Sequence, residues 1–73
     1  MLQKKLGQRI ASLRRDRKLT QERLAELLNC SVEFISLVER GVNAPSVAGL
    51  GDFAKTLKVS VRDLFDFEKE RRR

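Results

Sequence analysis

Apolar residues recur along this chain at intervals of three and four almost from end to end, a period that suits helices and gives no strand its alternation. Leu2, Leu6, Ile10 and Leu13 fall on one face of a helix expected from about Gln3 to Arg17. Thr20 opens a second helix, because its hydroxyl can accept a free backbone N–H of the first turn; Leu24, Ala25, Leu27 and Leu28 supply the buried side. Asn29 ends it, since asparagine tolerates the left-handed conformation that a helix C-terminus often requires. Ser31 caps a third helix, with Phe34, Ile35 and Val38 inward, which stops at Gly41. Only Asn29 to Ser31 separate these two helices, too short a link for anything but a tight turn.

Beyond a loop at Gly41 to Pro45, Ser46 precedes Val47, Leu50, Phe53, Ala54 and Leu57 at helical spacing. Gly49 and Gly51 each weaken that helix by about 1 kcal/mol relative to alanine, so packing must hold it. Ser60 and Asp63 form a capping-box-like S-x-x-D ahead of Val61, Leu64 and Phe65. The expected fold is all-α: five helices near residues 3–17, 20–28, 31–39, 46–57 and 60–66, and no strand. One domain is expected over residues 1–67, with a charged, uncapped tail at 68–73, because 73 residues cannot divide their apolar side chains between two stable cores.

Composition narrows the function. The lone Cys30 cannot form an intramolecular disulfide, and with no histidine a zinc site would depend almost wholly on carboxylates. No metal and no cofactor is expected, and Cys30 is read as a small buried apolar residue. The same absence of histidine, with no phosphate-cradling glycine loop, argues against an enzyme. No stretch has signal-peptide or membrane-span character, so a cytoplasmic protein is expected. The net charge is +6, and all of it lies before Leu24. There Lys4, Lys5, Arg9, Arg14, Arg15, Arg17, Lys18 and Arg23 face only Asp16 and Glu22. Such a one-sided field suits a polyanion, and equally suits a solvated helix surface.

The segment Thr20 to Gly41, TQERLAELLNCSVEFISLVERG, followed by NAPS at Asn43 to Ser46, resembles the helix-turn-helix domain of phage lambda-type repressors, Cro proteins and small bacterial regulators, the XRE type. The resemblance extends from the arginine-bearing first helix to VSVRDLF at Val59 to Phe65. It implies a compact five-helix lambda repressor-like domain that binds double-stranded DNA, with the third helix in the major groove. By the resemblance, Val32, Glu33, Ser36 and Leu37 face the bases. Gln21, Lys18, Arg40, Gly41 and Asn43 lie along phosphates, and Arg14 pairs with Glu39 in a structural salt bridge. The chain departs from the family pattern at Val42, where a basic residue is common, though Lys18, Arg15 and Arg17 can compensate. It departs also at Val32 and Leu37, which cannot hydrogen-bond a base and can only pack on apolar edges such as the thymine methyl.

The expected activity is therefore sequence-specific DNA binding by a small transcriptional repressor acting as a homodimer, with Val61 and Phe67 as its contact, or with Phe67 folded back over its own core instead. The alternative is an antitoxin-like module that uses Leu37 to engage a second protein partner. RNA binding gains little support, since the phenylalanines fall at core spacing rather than forming a stacking platform.

Overall fold

In the computed structural model, which describes residues 1–71, six helices follow one another: α1 (Leu2–Asp16), α2 (Gln21–Leu28), α3 (Val32–Glu39), α4 (Val47–Thr56), α5 (Val61–Leu64) and α6 (Phe67–Arg71). No strand occurs among the described residues. Each of α2 to α5 starts where a hydroxyl is available. Thr20, Ser31, Ser46 and Ser60 accept the backbone N–H three residues on, from Arg23, Phe34, Gly49 and Asp63. At Ser60 the box is reciprocal, because the Asp63 carboxylate accepts the Ser60 backbone N–H at 3.2 Å. These bonds hold the Asp63 carboxyl below its ordinary pKa, the Ser60 backbone contributing most.

The helix ends are equally regular. α1, α2, α3 and α4 are each followed by a residue with positive φ, respectively Lys18, Asn29, Gly41 and Lys58. In every case the N–H of the next residue reaches back to a carbonyl five residues earlier: Leu19 to Arg14, Cys30 to Ala25, Val42 to Leu37 and Val59 to Ala54. This is the Schellman closure, and it reverses the chain within two residues of each helix end.

Ile10, Leu24, Ile35, Val38, Leu57 and Leu64 are fully buried and join Leu6, Leu13, Ala25, Phe53 and Ala54 in a single core. Helix α1 lies at its centre, packed on α3, α5 and α6, while α2 bridges α3 and α4. Three residues assigned to this core by their spacing stand outside it: Leu2 (63% exposed), Leu27 (46%) and Val47 (87%). Periodicity identifies the face on which a side chain lies. It does not say whether a neighbouring element extends far enough along the helix to cover it. Helix α6 runs through residues whose sequence suggested only a charged tail. It packs on α1, with Phe67 edge-on to Phe65 at 6.2 Å between centroids and the Lys5 ammonium 6.0 Å over its ring. Cys30 is half-buried against the core rather than within it, and burial pushes its thiol pKa up.

Candidate nucleic-acid interface

Helix α3 is sided. Ile35 and Val38 are completely enclosed, whereas Val32 is 38% exposed, Glu33 is exposed, and Ser36 and Leu37 are half-buried. The short turn behind it is closed by the Asn29 left-handed residue and the Ser31 cap, so α2 and α3 pack directly on one another. Their relative position is further held by Glu39. Its Oε2 accepts from Arg14 Nε at 2.7 Å, and its Oε1 accepts from Arg14 Nη2 at 3.1 Å and from Gln21 Nε2 at 3.0 Å. Arg14 Nη1 also donates to the Leu19 carbonyl at 2.8 Å. With side chains only 12% and 6% exposed, Arg14 and Glu39 form a largely desolvated, bidentate pair joining α1, the α1–α2 turn, α2 and α3.

Above this pair opens a groove of about 670 Å³, lined by Gln8, Ser12 and Arg15 of α1, Gln21 of α2, and Ser36 and Arg40 at the outer edge of α3. The groove unites three of the residues expected at DNA: Gln21, Ser36 and Arg40. Val32, Glu33, Leu37, Lys18 and Asn43 are outside its lining; Lys18 is exposed on the α1–α2 turn and Asn43 on the loop after α3. Gln8 was missed in the sequence. The available signal was the spacing of Gln8, Ala11, Ser12 and Arg15, a second helical face of α1 beside its apolar one.

Two expectations change with the geometry. The backbone N–H groups of the loop after α3 are committed internally: Arg40 donates to Ser36, Gly41 to Val38, and both Val42 and Asn43 to Leu37. Gly41 thus has no backbone donor to offer a phosphate, and Asn43 has only its side chain. The basic first third is also less free than its charge suggests. Arg17 donates to the carbonyls of Leu57 at 3.0 Å and Lys58 at 3.3 Å, fastening α1 to the end of α4. Arg9 is buried and donates to the Asp63 carbonyl at 2.8 Å, Arg14 holds Glu39, and Arg23 pairs with Glu26. At the other end of the molecule Val61 is 42% exposed, while Phe67 is half-buried on its own core, the second of the two arrangements its position allowed. No cluster of three or more acidic, histidine or cysteine side chains suited to a metal occurs among the described residues. No described helix is long and apolar enough to cross a membrane.

A model of a helix-turn-helix domain matches residues 5–66, nearly the whole of this architecture. The chain belongs to the XRE, Cro and lambda-type helix-turn-helix family of transcriptional regulators. It is 38% identical over 63 residues to the uncharacterised HTH-type transcriptional regulator YazB of Bacillus subtilis (strain 168), covering 86% of this chain and 91% of that protein. It is 41% identical over 56 residues to the immunity repressor protein of Bacillus phage phi105, covering 77% of this chain but 39% of the repressor. The chain therefore spans about two-fifths of that repressor's length. Among solved structures, the biofilm master regulator SinR in complex with DNA superimposes with a TM-score of 0.77 at 32% identity, covering 84% of this chain and 98% of that one. Membership gives this XRE-family domain the general role of a helix-turn-helix transcriptional regulator.

Proposed function

We propose that this XRE-family domain binds double-stranded DNA sequence-specifically as a repressor, with α3 in the major groove. The observation that carries the reading is the groove in which Gln21, Ser36, Arg15 and Arg40 meet over the Arg14–Glu39 pair. An α-helix fits the major groove, about 12 Å wide, when a second helix braces it from behind, and α2 is so placed. SinR, which has the same arrangement, was solved with DNA, and the phage relative is named a repressor. Val32, Glu33, Ser36 and Leu37 are assigned to base edges. Val32 and Leu37 would pack on thymine methyls, which raises the A·T content of the preferred site. Gln21, Lys18, Arg40, Arg15 and the Asn43 side chain are assigned to phosphates. Gln21 Nε2 is committed to Glu39, which orients the amide for a phosphate beside the α2 N-terminus, where unpaired N–H groups favour an anion.

Selection of bound duplexes from a random pool, followed by titration against salt, tests the assignment. Enrichment of one A·T-rich sequence, with affinity that falls as salt rises, is the expected result. Absence of salt-dependent binding, with stoichiometric co-purification of another chain, would replace it by a protein-interaction role for the exposed aliphatic residues of α3.

A further inference from the structure

Gly7 sits buried where the first half of α1 crosses the last turn of α3. A Cβ there would lie 2.7 Å from the Glu39 carbonyl oxygen and 2.9 Å from its carbonyl carbon, and closer still to the Val38 carbonyl oxygen. All three are backbone atoms, which cannot swing aside as a side chain can. The same junction is made a second time one turn away: a Cβ at Gly41 would lie 2.7 Å from the Lys4 Cα, and Gln3 Nε2 donates to the Gly41 carbonyl at 2.9 Å. Two helices are therefore in backbone-to-backbone contact at the end of the helix assigned to base reading.

Of the two, α1 is the less able to yield. Leu6 and Ile10 are in the core, Arg9 is tied to the Asp63 carbonyl, and Arg17 to the Leu57 carbonyl. Helix α3 has only eight residues, so a displacement of Val38 and Glu39 carries Ser36 and Leu37 with it. Restoring ordinary contact at 3.4 Å demands a movement on the order of 1 Å, beyond the roughly 0.5 Å tolerance of a directed recognition site. Long flexible cations at phosphates absorb such a movement by changing rotamer.

We propose that Gly7, by lacking a side chain, sets the position of α3 against α1 and is a positioning residue for sequence discrimination. The inference rests on the reading that α3 contacts bases. It is tested on the full chain with the duplex selected by the wild type and with a random duplex, at a temperature where circular dichroism shows every variant folded. Gly7→Ala is expected to weaken the selected duplex by about tenfold and the random one by less than about twofold, the signature of lost base contacts. Phe53→Leu, a core change on α4 away from the junction, is expected to lower thermal stability without altering that ratio. Gln3→Ala removes the exposed tether to Gly41 and is expected to lower the ratio about threefold; it decides the matter if Gly7→Ala does not fold. A folded Gly7→Ala with the wild-type ratio overturns the proposal, as does an unchanged ratio in Gln3→Ala where Gly7→Ala is unfolded. A wild type that selects no sequence from the pool overturns the base-reading assignment itself, and the proposal with it.

Discussion

Glu39 satisfies two donors of Arg14 and one of Gln21 with its two oxygens, and does so almost out of contact with water. Removing one member of such a pair leaves the other charge buried and uncompensated. Glu39→Ala should accordingly cost about 3–5 kcal/mol in denaturant unfolding. Gln21→Ala separates the structural from the functional half of the network. It loses a single hydrogen bond to a carboxylate, worth about 1.5–3 kcal/mol, while duplex binding should weaken by a similar factor on every sequence. At Leu37 the expected effect is of another kind. Leu37→Gln replaces a side chain that can only touch methyl groups by one that can bond adenine bidentately, so repeat selection should return a different preferred sequence.

Helix ends give the next scale its predictions. Lysine is an unusual occupant of left-handed backbone, yet Lys18 and Lys58 both adopt it, with φ of 58° and 60°. Lys58 is not among the residues assigned to DNA, so Lys58→Gly tests the backbone effect and should raise unfolding stability by about 0.5–1 kcal/mol. The α5 cap should be pH-sensitive. The Asp63 pKa is lowered in the folded chain, so its contribution is complete above the ordinary carboxylate pKa of about 3.9 and is lost as pH falls through the folded value. Ser60→Ala should flatten that part of the stability profile. The sequence revealed the starts of α2 to α5, because hydroxyl caps are local chemistry, and it revealed Asn29 and Gly41 as stops because both tolerate positive φ. Lys18 and Lys58 were invisible as stops, since their conformation is imposed by the carbonyls behind them and not by a preference of lysine. The same distinction holds at the site. The outer residues of α3 could be picked out in the chain, while the internal roles of Arg9 and Arg17 depend on carbonyls 54 and 40 positions away and could not.

Over the whole molecule, formal charge overstates what is available to DNA. Five of the eight cations before Leu24 are engaged with protein partners, Lys5 on the Phe67 ring among them, leaving Arg15 and Lys18 as the members of that group closest in role to Arg40. Arg40→Ala or Lys18→Ala should each reduce the slope of affinity against salt by about 1 while weakening selected and random duplexes alike. Arg17→Ala should leave the slope unchanged and lower stability instead. One short helix discriminates only a few base pairs, so two copies on a site of two-fold symmetry are proposed, their helices roughly 34–36 Å apart. A duplex with two inverted half-sites should bind cooperatively where a single half-site does not, and Val61→Glu should abolish the cooperativity while sparing the half-site. Phe67 is the poorer probe of that contact, because it also covers its own core.

The single thiol at the bend between α2 and α3 turns the domain into its own stopwatch. Cys30 is half-buried and burial pushes its thiol pKa up, so an alkylating reagent should modify it more slowly in the folded domain than in the unfolded chain. Rates of modification, read by mass without any added label, then report how well that bend stays closed. A duplex that clasps α2 and α3 together should slow that clock in proportion to its occupancy.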